Sequence, residues 1–148
     1  MTKYHYTECG LDNVYIEGLA PVIDEEGDEV IEIRFIAALH AEIARGIINQ
    51  KGKIDGSELR FLRTEMGLTQ SELAQVASVT HQLIGRAERG ETPLNPTAET
   101  VIRRVAAERL IEAFTQSIED LAASIRADST DEEINVEMSG NGYRLIAA

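Results

Sequence analysis

Helix starts and stops crowd the middle of this chain. Asp55 stands three residues before Glu58, and Thr69 three residues before Glu72. At that spacing a side-chain oxygen accepts from a backbone amide while the later acid reaches back to the amide of the first residue. Thr80 caps a further helix, and Asn95 followed by Pro96 puts proline at a first helical position, where its missing N–H costs nothing. Gly67 and Gly90 sit where helices stop, because a left-handed closing residue is cheapest without a Cβ. So many boundaries in so few residues predict short helices joined by tight turns.

The flanks follow other periods. Tyr4, Tyr6, Val14, Tyr15, Ile16, Val22, Ile23, Val30, Ile31 and Ile33 are β-formers separated by turn residues such as Gly10, Gly18 and Gly27, which predicts a small antiparallel sheet or meander over 4–34. Ile36, Leu39, Ile43 and Ile47 step at helical spacing, and Lys51-Gly52-Lys53 ends that helix; its cap is not evident. Beyond Pro96 the reading is of a long helix. Ile111, Phe114, Ile118, Leu121 and Ile125 step by three and four along it, a stripe that fits either packing on its own domain or a dimer seam. The acidic stretch from Asp128 to Glu133 closes that helix. Ile134, Val136, Met138, Tyr143 and Leu145 then alternate around Asn141-Gly142, a strong hairpin signal. A lone hairpin is marginal in water, so this one should dock on the N-terminal sheet or on a partner subunit. The expected fold class is α+β: a five-helix core, a small N-terminal antiparallel β module, and a C-terminal β-hairpin after a long helix. The expected division is 1–52, 53–109 and 110–148.

Charge divides the chain at the same places. The 148 residues carry a net charge of −12, yet residues 53–109 are neutral, with eight bases against eight acids, while 1–52 and 110–148 carry −6 each. The neutral third, with clustered Arg, can approach phosphates locally, and the acidic flanks weaken long-range attraction. The longest apolar run, Phe35 to Leu39, is far short of the roughly 20 residues that span a bilayer, so no membrane partner is expected. Met1 to Glu8 lacks the apolar core of a signal peptide, and a single cysteine, Cys9, suits a reducing compartment; both point to the cytoplasm.

The run from Leu59 to Gly90 resembles the XRE-type helix-turn-helix of phage repressors and many bacterial regulators. The matching elements are L-x-x-L-R at Leu59 to Arg63, G-L-T-Q at Gly67 to Gln70, E-L-A at Glu72 to Ala74, V-T at Val79-Thr80, and I-x-R-x-E-x-G at Ile84 to Gly90. The resemblance implies a double-stranded DNA operator, read in the major groove by the helix over 80–89, and a dimeric repressor. It implies base readers at His81, Gln82 and Arg86; Gln82 suits adenine and Arg86 guanine. It implies phosphate contacts at Thr69, Gln70, Thr80 and Arg89. Arg63 and Glu88, by the same pattern, form a structural ion pair. Two positions depart from the family. Ser78 stands where a turn glycine is usual, at a cost of about 1 kcal/mol if the backbone is left-handed. Ala87 stands where a bulky apolar residue is common, which leaves less core.

A small N-terminal module before such a domain also resembles the MqsA-like antitoxins, whose zinc ribbon uses two CxxC pairs. This chain has neither pair. His5, Cys9 and His40, with Glu8 nearby, lack the closely spaced pairs of a tetrahedral site, so no metal and no cofactor is expected. Nor does a Ser-His-Asp order or a phosphate loop appear, so an enzyme is not expected. An antitoxin that autoregulates its operon while its acidic module masks a basic toxin is the alternative function. A protein-binding adaptor whose helix-turn-helix no longer touches DNA is the third.

Overall fold

The computed structural model describes residues 3–111, 125, 133–140 and 142–146. Strands β1 (Tyr4–His5), β2 (Val14–Glu17), β3 (Pro21–Ile23) and β4 (Glu29–Ile31) precede five helices. These are α1 (Ile36–Asn49), α2 (Gly56–Glu65), α3 (Gln70–Ala77), α4 (His81–Glu88) and α5 (Pro96–Leu110), and strands β5 (Ile134–Ser139) and β6 (Gly142–Ile146) follow. The fold is α+β, with antiparallel strands at the N-terminal side and a strand pair after the helices. Among the described residues no helix is long and apolar enough to cross a membrane. Of the apolar stripe, Ile111 is buried and extended just past the end of α5, whereas Phe114, Ile118 and Leu121 lie outside the described residues.

The N-terminal strands do not form one meander. They divide between two sheets: a four-stranded sheet in the order β1-β2-β5-β6, and a separate β3-β4 hairpin. The C-terminal hairpin docks on the N-terminal strands, with β5 running parallel to β2 from Val14↔Ile134 to Glu17↔Glu137. Parallel neighbours need a long crossover, and here the whole helical region supplies it. Alternation puts Val14, Ile16, Ile134, Val136 and Leu145 on one face, and α1 covers that face with Leu39, Ile43 and Ile47. Gly46 allows the close approach: a Cβ there would stand 3.0 Å from Ile134 and 3.4 Å from Leu145.

Two polar assemblies join this layer to the other helices. Arg103 on α5 is completely buried. Its guanidinium donates to the carbonyls of Ile48 (3.2 Å), Gln50 (2.6 Å) and Gly52 (2.5 Å), and to Glu99 Oε2 at 2.8 Å. Those carbonyls belong to the end of α1 and the loop behind it, so α5 is bolted to α1 by a charged group with no solvent to fall back on. On the other side, Tyr6, His40 and Glu65 form a chain. Burial pushes the Tyr6 hydroxyl up to about 12; its oxygen is hydrogen-bonded to His40 Nε2 at 2.9 Å, and His40 Nδ1 to Glu65 at 3.1 Å, which links the β layer, α1 and the end of α2.

Glu58 closes the capping box of α2 and accepts from Gln50 at 3.1 Å and Asn13 at 3.5 Å, at only 2% exposure. Burial, with Asp55 beside it, pushes its carboxyl from 4.5 up to about 7. Burial pushes Glu99 in the same direction. A carboxyl raised by folding binds its proton more tightly in the native state. Its contribution is therefore complete below the ordinary carboxyl range and is lost as pH rises through about 7.

Two outcomes are expected. Arg103→Ala leaves Glu99 buried and unpaired and should lower stability by about 3–5 kcal/mol, read as a fall in the urea midpoint. Wild type should unfold at lower urea at about pH 8 than at about pH 5. In Glu58→Gln, which keeps the capping geometry and stays neutral, that pH dependence should shrink.

Candidate nucleic-acid interface

Helices α2, α3 and α4 end in the same way, and that repetition sets the geometry of the site. Leu68 N–H bonds to Arg63 O (3.1 Å), Val79 N–H to Ala74 O (3.0 Å), and Glu91 N–H to Arg86 O (2.9 Å). Each is the wide closing bond of a helix whose chain turns left-handed within two residues of its end. Two of the left-handed residues are glycines, Gly67 (φ 71°) and Gly90 (φ 76°), and the third is Ser78 (φ 56°, ψ 42°). The turn between α3 and α4 thus has the backbone of a glycine turn without the glycine.

The starts are as uniform. Thr69 Oγ1 accepts from the Glu72 amide at 3.1 Å and Glu72 returns to the Thr69 amide at 3.0 Å. Thr80 Oγ1 accepts from the Leu83 amide at 3.2 Å. Both hydroxyl oxygens accept as caps, which leaves each O–H, beside the first backbone amides of α3 and α4, able to donate to a phosphate arriving here.

The inner side of α4 is apolar and small. Ile84 is fully buried and Ala87 nearly so, while Leu59, Leu62, Leu73 and Ala74 belong to the same core. Gly56 lets α2 touch the end of α4, since a Cβ there would stand 2.5 Å from the Ala87 carbonyl, and a cavity lined by Gly56, Leu59, Ala87 and Leu94 lies beside the small side chain at 87. The tilt of α4 is held by Arg63 and Glu88. Arg63 Nε and Nη2 donate to the two Glu88 oxygens at 2.6 and 3.0 Å, and Nη1 donates to Leu68 O at 3.0 Å. Glu88 raises the Arg63 pKa through that hydrogen bond. Gln70 Nε2 adds a donor to Glu88 at 3.3 Å, so α2, α3 and α4 meet on one carboxylate.

The outer side is where the sequence-derived base readers lie. His81, Gln82 and Arg86 are all exposed, within an arc of about 140° on α4. Thr80, His81 and Gln82 face Ser71 and Gln75 of α3 across a shallow groove. Ser71 and Gln75 were not singled out from sequence; their spacing of four on the polar side of α3 is the signal that would have found them. Gln70 and Arg89 converge over Gly85, where a Cβ would stand 3.4 Å from Gln70 Oε1 and 3.2 Å from Arg89 Nη1. Arg89 is exposed but not free: its guanidinium spans both oxygens of Glu91 at 3.2 Å. Glu91 is a third residue, after Ser71 and Gln75, that sequence reasoning passed over.

Of the residues considered for a metal, Glu8, Cys9 and His40 line one cleft, and His5 is not part of its lining. His5 Nε2 is 2.7 Å from Asp12 O and its ring stacks on Tyr15, Cys9 leans on Tyr6 O, and His40 is held between Tyr6 and Glu65.

Residues 59–103 of the chain match the family model described as helix-turn-helix. No curated protein and no solved structure matches the chain. The match begins on α2 and ends at Arg103, so it takes in the exposed face of α4 and the buried bolt to α1.

One outcome follows from the three helix ends. Ser78→Gly relieves the left-handed strain and should raise stability by about 0.5–1 kcal/mol, read as a higher urea midpoint. Gly67→Ala or Gly90→Ala should lower it by a similar amount.

Proposed function

We propose that this chain, whose residues 59–103 form a helix-turn-helix domain, is a sequence-specific DNA-binding transcriptional regulator acting as a dimeric repressor in the bacterial cytoplasm. One observation carries the reading: within the matched segment, α4 turns His81, Gln82 and Arg86 to solvent while Arg63, Gln70 and Glu88 clamp its inner side. A clamped helix with a free polar face is what major-groove reading needs, since the base edges must be met at a fixed angle. In this reading Gln82 pairs with adenine and Arg86 with guanine, and the amides opening α3 and α4, with Arg89, hold the phosphates on either side. One such domain makes too few contacts for tight binding, so two half-sites about one DNA turn apart are expected. The proposed division remains 53–109 for DNA, with 1–52 and 110–148 supplying the dimer or partner surfaces.

An autoregulating antitoxin is the second reading. It adds a basic protein partner to the same DNA-binding module, and the acid excess of 1–52 favours it.

Selection of bound duplexes from a random pool tests the first reading. Arg86→Ala should erase the preference at one position per half-site, a loss of about 1–3 kcal/mol in discrimination, and Gln82→Ala should relax a neighbouring position. Arg89→Ala should weaken all sequences alike and flatten the salt slope by about one unit. Glu91→Gln, which frees Arg89, should strengthen all of them. Unchanged selected motifs in both Arg86→Ala and Gln82→Ala would remove α4 as the reading element.

A further inference from the structure

The β3-β4 hairpin is a bare element. Both strands are exposed along their whole length, and a two-stranded ribbon is at best marginal alone in water. Its register pairs Pro21 with Ile31 and Ile23 with Glu29, which puts these four on one face. On that face Ile23 is 69% and Ile31 46% exposed; Val22 and Val30 occupy the other face at 38% each. Phe35 and Ile36, at the start of α1, are exposed as well. Large apolar groups gathered on one protruding element mark a contact surface.

The charge on the same element says what kind. From Asp24 to Glu32 there are six acids and no base. Glu25, Glu26, Asp28 and Glu29 are exposed around the turn. The turn holds them in place: Asp24 Oδ1 accepts from the amides of Glu26 (3.0 Å) and Asp28 (2.8 Å), and the Asp24 amide donates to Asp28 O at 2.9 Å. The nearest base, Arg34, is spent on Glu32 at 3.1 Å. A second copy laid on this surface would bring two such acid sets together, and DNA or an anionic membrane would be repelled in the same way. The complementary occupant is a protein surface that offers apolar side chains within a ring of Lys and Arg.

We propose that the β3-β4 hairpin is the docking arm for a basic protein partner, with Ile23 and Ile31 as the apolar anchor and Glu25, Glu26 and Glu29 as the acidic rim. Apolar anchors supply affinity once water is excluded, and the charged rim sets the rate of encounter and the choice of partner. This deepens the second reading above and rests on it, since it names the surface that such a partner would use.

The test uses the full chain and three short synthetic peptides: one alternating Lys with Val and Ile, one alternating Lys with Ser, and the first with Glu for every Lys. Backbone amide shifts locate the contact and their titration gives the affinity. The Lys/Val/Ile peptide should shift amides of 21–32, the Glu peptide should not bind, and the Lys/Ser peptide should bind at least about tenfold more weakly. Glu25→Lys/Glu26→Lys/Glu29→Lys and Ile23→Ser/Ile31→Ser should each lose about tenfold or more of the affinity, with DNA binding unchanged in the Ile variant and no weaker in the Lys variant. Shifts centred elsewhere would overturn the hairpin as the surface and leave the second reading standing; no binding of either Lys peptide would overturn both. Equal binding of the two Lys peptides would remove the apolar anchor. A wild-type oligomer that dissociates in Ile23→Ser/Ile31→Ser, seen by sedimentation, would show that a second copy covers the hairpin instead.

Discussion

A guanidinium that cannot reach water decides how the two layers of this molecule sit against each other. Arg103 enters from α5 and takes three carbonyls from the end of α1 and the loop after it, with Glu99 one helical turn away as its counter-ion. Burial disfavours the charge on both partners, pulling Arg103 down and pushing Glu99 up. Such a pair adds little net stability compared with apolar side chains of the same volume. What it forbids is any other arrangement, because a shift of α5 along α1 strands a charge and several carbonyls in the interior. The β layer lies on α1, and α1 is tied to α5 by Arg103 and to α2 by His40 and Glu65. The helix-turn-helix segment therefore stands in a set position relative to the sheet.

Within that segment the same economy recurs. Glu88 is almost fully covered, and its two oxygens gather Arg63 from α2 and Gln70 from α3. One carboxylate on α4 thereby sets the angle of the helix whose other side carries His81, Gln82 and Arg86. Small residues make the clamp possible: Gly56 lets α2 approach the end of α4, and Gly85 gives Gln70 and Arg89 room to meet. The outward face carries exposed polar side chains and, among the described residues, no exposed large apolar one. The exposed large apolar side chains among the described residues lie instead on the β3-β4 hairpin and at the start of α1. The candidate DNA face and the candidate protein-docking face thus have opposite characters.

What could be read from the sequence depended on the range of the interaction. Helix boundaries were legible because caps and closing residues act over three or four positions: Asp55 with Glu58, Thr69 with Glu72, Thr80 and Asn95 all cap as their spacing implies. The left-handed Ser78 was legible too, as the place of a missing glycine. The parallel pairing of β2 with β5 was not, since strands separated by the entire helical region leave no local pattern. The separation of β3 and β4 into a sheet of their own is hidden for the same reason. Arg103 with Glu99, spaced by four on a helix, reads as an ordinary surface pair; only the packing of α1 makes it interior. At the site, the exposure of His81, Gln82 and Arg86 follows from helical period. The capture of Arg89 by Glu91 depends on the path of the chain after α4, which spacing alone does not give.

The central claim is that DNA meets the protein along the starts of α3 and α4 and the outer side of α4, and nowhere on the sheet or the hairpin. Backbone amide shifts of the full chain, titrated with the duplex it selects from a random pool, test this most directly. The account predicts movement at residues 69–71, 80–86 and 89 and silence at 21–32. Movement centred on the hairpin or the four-stranded sheet, with α4 unmoved, would contradict it.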